Sequence, residues 1–162
     1  MTSFLDPDLA TPMRLELPTG HHLRRIGADD LDLDYPAVMR SQPRLWRLFG
    51  PSWGWPPVDM TREQDREDLA RHADEMTRNE SFNFAILDPD ETCLRGCVYI
   101  DPPEEDGYDA EVLWWVVDDE VGGELDRCLH GAVSTWLATD WPLERPRIVG
   151  RDISWDDWRD QA

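Results

Sequence analysis

The sequence predicts an α/β fold of the α+β type, in which helices cover both faces of a mixed, mostly antiparallel sheet. Two apolar runs separated by a turn sequence within residues 82–100 are typical of an antiparallel hairpin. Residues 110–117 are apolar at nearly every position, which indicates a central strand that is covered on both sides. Residues 125–137 carry an unbroken apolar stripe at helical spacing, so this helix is expected to pack on the sheet.

The N-terminal region is predicted to contain either a short hairpin or a strand after a turn, and this follows a flexible tail over residues 1–12. Residues 13–17 and 22–26 flank the sequence Pro18-Thr19-Gly20, whose composition is typical of a turn.

Two short helices with a bend between them are predicted next, over residues 36–42 and 43–49. A proline opens each segment, as is common in a first helical turn, and Gly50 follows as a stop signal. Residues 50–57 are then expected to form an ordered, tryptophan-rich loop.

Two further helices are predicted from side-chain caps. Thr61 with Gln64 forms a capping box at the start of a surface helix over residues 61–78, and Ser154 with Asp157 caps a last helical turn. The surface helix also contains two favourable pairs at i,i+4 spacing, Glu67 with Arg71 and Asp74 with Arg78.

The core is predicted to form where the central strand meets the long amphipathic helix. Each has an apolar face that must be buried, so five large side chains are expected to share one core: Leu113, Trp115, Leu129, Val133 and Trp136. Residues 147–150 are predicted to add a short strand.

Composition and charge exclude several classes of partner. A chain of 162 residues with 40% hydrophobic residues suits one domain over residues 1–162. The formal net charge of −19 argues against binding nucleic acid or an anionic membrane, because both need clustered Lys and Arg. The three cysteines cannot close a disulfide framework, and the N terminus has no apolar run for a signal peptide, so a cytoplasmic location is expected.

No metal site is predicted. Cys93 and Cys97 would lie too far apart on a strand to chelate one ion, and Cys128 falls within the helix stripe, so packing roles are favoured for all three. The four histidines do not follow a zinc-binding pattern.

The residues themselves point to two parts of a candidate site. Glu111 stands near the start of the central strand, where it is either a partly desolvated general base or an exposed strand-end acid. Residues 35–58 contain no acid and combine arginines with aromatic residues, so this stretch is predicted to form a ligand wall through Arg47, Trp53 and Trp55.

The order of these elements resembles that of the GNAT-type N-acetyltransferases. The segments 82–87, 94–100 and 110–118 are similar to the second, third and fourth strands of that family, and residues 125–137 are similar to the helix that follows. The resemblance extends from about residue 21 to residue 141.

The resemblance implies transfer of an acetyl or other acyl group from its CoA thioester to a small amine or a protein N terminus. It implies that Val116 and Val117 contact the pantetheine arm and that Glu111 is the base. The amides of Gly122, Gly123 and Glu124 would hold the pyrophosphate, because helix N-termini bind anions.

The predicted pyrophosphate loop departs from the family pattern. It reads Glu120-Val121-Gly122-Gly123-Glu124-Leu125, which keeps one matching glycine and places Glu at the basic position. Neighbouring carboxylates predict weak CoA binding that salt strengthens by screening. The alternative function is therefore a non-catalytic GNAT-like module that binds a protein partner, or forms a homodimer, through its aromatic surface.

Overall fold

Six strands form one sheet in which the order along the chain is also the order in space, β1-β2-β3-β4-β5-β6, in the computed structural model of this protein. The structure describes residues 4–161. The strands are β1 (Arg14–Glu16), β2 (His22–Arg25), β3 (Phe82–Leu87), β4 (Leu94–Asp101), β5 (Ala110–Val116) and β6 (Pro146–Ile148). The helices are α1 (Leu31–Arg40), α2 (Gln42–Trp53), α3 (Arg62–Thr77), α4 (Glu124–Asp140) and α5 (Trp155–Asp160).

The sheet is mixed and mostly antiparallel, as predicted. Neighbouring strands from β1 to β5 are antiparallel, and only β5 and β6 run parallel. Register places Glu111 between Asp101 of β4 and Arg147 of β6. The pairing of β5 with β6 stops at Val112 and Ile148, so the rest of β5 has no partner on that side.

Helices cover both faces of the sheet, which confirms the predicted fold class. On one face, α4 packs against the sheet through Trp136 and Phe84, whose ring centroids are 5.0 Å apart. On the other face, the Trp115 indole N–H donates to the Tyr99 hydroxyl at 2.9 Å and its ring lies near Trp55, which follows α2.

The five predicted core residues are all buried in one hydrophobic cluster, but they do not all meet across one interface. The β5 tryptophan that contacts α4 is Trp114, whose ring centroid lies 5.7 Å from that of His130 on the helix. Trp115 points to the opposite face, because successive side chains of a strand alternate. A strand that is apolar on both faces does not reveal which face the helix covers.

The two N-terminal helices are longer than predicted. Helix α1 begins at Leu31, so Pro36 lies inside it. Helix α2 continues through Gly50 to Trp53 and ends at Gly54, whose φ of +64° is the left-handed conformation that favours glycine. Gly50 is needed for packing instead, because a Cβ there would lie 2.6 Å from the Trp46 ring. The predicted loop therefore starts four residues too early.

Helix α3 has the predicted capping box, in which the Gln64 N–H donates to the Thr61 hydroxyl at 3.2 Å. The two predicted i,i+4 pairs are wrong. Arg71 instead binds Asp68 and Glu75, and the Arg78 guanidinium binds Glu80 beyond the helix end.

The hairpin β1-β2 and the capped helix α5 form as predicted, with the Asp157 N–H donating to the Ser154 hydroxyl at 3.1 Å. The strand β6 begins one residue earlier than predicted and ends at Ile148 instead of residue 150. Residues 1–3 of the predicted tail lie outside the described residues. Further along, the Leu5 N–H donates to the Asn79 carbonyl at 3.0 Å, and the Asn79 side chain donates to the Asp6 carbonyl. Within residues 4–161, no helix combines the length and the apolar character that a bilayer crossing needs.

Candidate active site

A gap opens in the sheet where β5 and β6 part. The Val149 N–H donates to the Val112 carbonyl, which marks the last bond across the two strands. Because alternate residues turn their backbone groups to opposite sides, Trp114 and Val116 present theirs to the gap. A cavity of about 270 Å³ occupies this space, and Trp114, Val116, Val149 and Gly150 are among the residues that line it.

Helix α2 reaches across the mouth of this gap. The Arg44 guanidinium donates to the Val116 carbonyl and, at 2.6 Å, to the Asp118 carboxylate. The Ser41 hydroxyl, at the start of the same helix, accepts the Asp118 N–H at 3.0 Å. The Val116 carbonyl, on the open edge of β5, is therefore already hydrogen-bonded within the chain.

The loop between β5 and α4 presents fewer free amides than predicted. The Gly122 N–H donates to the Asp126 carboxylate at 2.8 Å, and the Gly123 N–H donates to the Glu120 carbonyl at 2.9 Å. Helix α4 starts at Glu124 without a side-chain cap, so the first amides of the helix are its open donors. Of the three predicted amides, Glu124 alone belongs to this open set.

Arginines from distant parts of the chain approach the acidic residues of this loop. The Arg40 guanidinium lies 3.5 Å from Asp119, and Arg95 lies 3.8 Å from Glu120. Arg127 donates to the Gly122 carbonyl at 2.8 Å. With Arg44 on Asp118, the loop is far less negative than its sequence indicates.

A larger cavity of about 680 Å³ lies on the face of the sheet that Trp115 occupies. Its walls combine three aromatic side chains, Trp53, Trp55 and Tyr99, with acidic residues from α3 and from the end of β4. The acidic residues that line it are Asp68, Glu75, Glu80, Asp101 and Glu104. Such a cavity is suited to a cation, which aromatic faces and carboxylates both attract.

His72 is held between two of these carboxylates. Its ring nitrogens lie 3.7 Å from an Asp68 oxygen and 3.6 Å from a Glu75 oxygen. Burial favours the neutral ring, but the attraction of the neighbouring Asp68 and Glu75 carboxylates prevails and raises the pKa of His72 to about 9. The imidazole is therefore charged at neutral pH, and Arg71 completes a network with little net charge.

Asp101 is different because nothing in the described part of the chain pairs with its carboxylate. Burial raises its pKa to about 7; the charge of His72 opposes this rise, and the charges of Glu75, Glu111 and Glu104 add to it. A third, smaller cavity of about 120 Å³ reaches Leu113 of β5 and shares Trp53, Asp101 and Glu104 with the larger one. Asp101 thus lies where the acidic cavity meets the central strand.

Glu111 is buried, and both of its carboxylate oxygens accept hydrogen bonds. The Arg147 guanidinium donates to both of its carboxylate oxygens, at 2.7 and 2.9 Å, and each side chain is at most 3% exposed. Arg147 also donates to Glu105 and to Gln161. Of the two interpretations that the sequence leaves open, the exposed strand-end acid is wrong, and the role of Glu111 as a base stays a prediction.

The structure brings together some of the predicted site residues and separates others. Trp53 and Trp55 line the acidic cavity, whereas Arg47 is exposed and its carbonyl accepts a hydrogen bond from Arg159. Val116 faces the gap, but the Val117 N–H donates to the Arg95 carbonyl, away from it.

Sequence reasoning missed Trp114 at the gap and both Asp101 and His72 at the cavity. Asp101 had a usable signal. Asp101 stands at the end of one predicted strand, and Glu111 stands near the start of the next. If the two strands form an antiparallel pair, the residues next to their connection lie opposite each other, so the two acids become neighbours.

A family model described as an acetyltransferase (GNAT) domain matches residues 22–149. Among curated proteins, none matches the sequence. Solved structures with the same fold include ribosomal-protein-S5-alanine acetyltransferase from Vibrio fischeri, with 19% identity, a TM-score of 0.59 and coverage of 86% of this chain and 76% of that one.

Two further solved structures share the fold. Spermidine N-acetyltransferase from Vibrio cholerae, in complex with CoA and spermine, is 15% identical with a TM-score of 0.57, covering 80% of this chain and 70% of that one. A GNAT-family acetyltransferase from Bacillus anthracis is 14% identical with a TM-score of 0.61, covering 84% and 72%. Since the family model spans most of the sequence and the sheet has the matching topology, the chain belongs to the GNAT acetyltransferase domain family.

Proposed function

We propose that this protein transfers an acyl group, such as acetyl, from its CoA thioester to an amine. The observation that carries the proposal is the acidic, aromatic cavity, whose Trp55 and Tyr99 contact Trp115 of the central strand, a residue that also lines the gap between β5 and β6. One pocket can therefore hold a cationic amine, and a neighbouring opening can hold the acyl donor. A neighbour of the same fold, spermidine N-acetyltransferase, is in complex with CoA and spermine.

The acyl donor would enter the gap. Its pantetheine arm can pair with the free backbone groups of Trp114 and with the Val116 N–H, and its pyrophosphate can accept from the first amides of α4. Arg44 supplies a positive charge beside the same opening. When the donor is bound, Arg44 would exchange its contact with Asp118 for one with a phosphate.

The acceptor would occupy the acidic cavity as an ammonium ion. Trp53 and Trp55 provide aromatic faces for the cation, and the exposed Glu104 provides an unpaired negative charge at the rim. A small amine fits a volume of about 680 Å³, and so does the first residue or two of a protein N terminus. Arg47 lies outside this cavity and is not proposed to contact the acceptor.

The non-catalytic alternative also has an observation in its favour. The Val116 carbonyl and the Gly122 and Gly123 amides are all bonded within the chain, so three groups that would hold CoA are already satisfied. A module that does not bind CoA would keep these bonds permanently, and its exposed tryptophans would then serve a partner or a second copy.

Calorimetric titration with acetyl-CoA and with CoA separates the two functions. We expect one binding site per chain, and the Arg44→Ala variant should bind about tenfold more weakly because it loses a cation near the phosphates. Arg47→Ala is the matched control, since it removes the same charge from an exposed site on the same helix, and its affinity should equal that of the wild type.

The outcomes of this titration are distinct. Absence of binding by the wild type would leave the non-catalytic module as the better description. Tighter binding by Arg44→Ala would show that Arg44 blocks the gap instead of holding the donor. If CoA binds, release of its thiol in the presence of alkylamines and N-terminal peptides then measures transfer.

A further inference from the structure

Several ionisable side chains line the joined cavities, but arginines already bind Asp68, Glu75 and Glu80, and Glu104 is exposed at the rim. Three candidates remain that could take a proton from the acceptor amine: Glu111, His72 and Asp101. This question rests on the proposed function, because an amine bound as an ammonium ion must lose a proton before its nitrogen can attack a thioester. The three groups differ in what already binds them. Those contacts decide which one is free to accept.

Glu111 is poorly suited to the task. Both of its oxygens accept from a guanidinium, at 2.7 and 2.9 Å, so the positive charge of Arg147 stabilises the carboxylate form. Protonation of Glu111 would leave the buried Arg147 without its main partner. The energetic penalty for an unpaired buried charge makes this an unfavourable step in every turnover.

His72 is also unsuited, because it already carries the proton. Asp68 and Glu75 flank its two ring nitrogens and keep the ring charged at neutral pH. A group that is already protonated cannot accept a proton from the substrate. Its positive charge can instead balance the carboxylates of α3 that line the cavity.

Asp101 has the opposite properties. Its carboxylate lines both the large cavity and the small one, and no side chain or backbone group within residues 4–161 binds it. Trp53 lines the same two cavities, so an ammonium group stacked on that ring would share them with the carboxylate. Register places Asp101 opposite Glu111 on the β4 side of β5, whereas the gap lies on the β6 side. Trp115 connects the two sides, because it donates to Tyr99 of the large cavity and also lines the gap.

We propose that Asp101 is the catalytic base that takes the proton from the acceptor ammonium. The carboxylate and R–NH₃⁺ give the carboxylic acid and R–NH₂. The amine nitrogen then bonds to the acyl carbon, and the carbon–sulfur bond breaks. The CoA sulfur leaves with the second amine proton as the thiol, and Asp101 returns its proton to solvent, so one amide, one thiol and one proton are formed.

The test compares the pH dependence of kcat/KM in the wild type and in Asp101→Asn with an alkylamine acceptor. We expect Asp101→Asn to lower kcat/KM at pH 7 by about 100-fold or more and to lose the rise in rate near pH 7. Its affinity for acetyl-CoA should be unchanged. Glu104→Gln, which changes another carboxylate of the same cavities, should raise KM and keep the rise with pH.

A second acceptor distinguishes a catalytic role from a structural one. Methoxyamine is already neutral at pH 7 and needs no base before attack, so the wild type and Asp101→Asn should acylate it at similar rates. Loss of activity toward both acceptors would overturn the proposal, and so would an unchanged pH profile in Asp101→Asn. A wild type without any turnover would instead overturn the proposed function, and the assignment of Asp101 with it.

Discussion

The ion pair between Glu111 and Arg147 is the most completely buried charge pair among the described residues. It joins β5 to β6 at the last rungs before the two strands part. A buried pair of this kind contributes little net stability compared with apolar residues, but removing one partner leaves the other charge uncompensated. The pair therefore fixes the point where the gap begins.

Replacing Glu111 by Gln should destabilise the fold by about 3 kcal/mol, because Arg147 would keep its charge in a buried site with only Glu105 and Gln161 as polar partners. Urea unfolding measures this. Glu16→Gln is the matched control, since Glu16 pairs with Arg14 on the surface and its loss should have no measurable effect. A Glu111→Gln variant as stable as the wild type would show that the pair is not needed to hold β6 in place.

At the scale of elements, helices α1 and α3 meet through two buried carboxyl groups, Asp34 and Asp65. Burial raises the pKa of Asp34 well above its usual value, and the neighbouring Asp65 raises it further. Burial also raises the pKa of Asp65 to about 6. The other titratable groups near Asp34 are Asp68, His72 and Cys97, so the contact between the helices is sensitive to pH.

The free energy of unfolding should fall as pH rises from about 4 to 7. In that range the folded state holds more protons on Asp34 and Asp65 than the unfolded state, whose Asp groups titrate near 3.8, so each pH unit favours unfolding. We expect a loss on the order of 2 kcal/mol in urea unfolding across this range. His72, with its pKa of about 9, adds a loss of the same sign from about pH 6.5 upward.

Asp34→Asn should reduce this loss, because the amide mimics the protonated acid and cannot ionise. Asp32→Asn provides the control on the same helix, since Asp32 is exposed and paired with Arg62. An unchanged slope in Asp34→Asn, or a wild type whose stability rises from pH 4 to 6, would contradict the argument.

Over the whole molecule, the net charge of −19 opposes the approach of CoA, which is itself an anion. The arginines around the α4 loop act over short distances, whereas the overall charge acts on a ligand that is still approaching. The association rate constant should therefore increase with ionic strength, by about two- to tenfold between 20 and 200 mM NaCl. Tryptophan fluorescence in a stopped-flow instrument can follow binding, because Trp114, Trp115 and Trp155 line the gap. A rate that falls with salt would show that the loop arginines control the encounter.

The elements and the class of fold can be derived from the sequence alone. The spacing of apolar residues, the turn residues and the side-chain caps all depend on neighbours within one helix, strand or turn. For this reason the hairpins, the central strand and helices α3, α4 and α5 could be predicted. Gly50 shows the limit of such local signals, because its role is to accommodate the Trp46 ring and not to end the helix.

The arrangement of the site depends instead on contacts between residues that are distant in sequence. Arg147 follows Glu111 by many residues, and no local pattern predicts that it neutralises this acid. The same applies to Arg44, which reaches the loop before α4, and to Asp101, whose freedom from partners depends on every element around the cavity. Charge and proton affinity are set by groups that are close in space, and the fold alone brings those groups together.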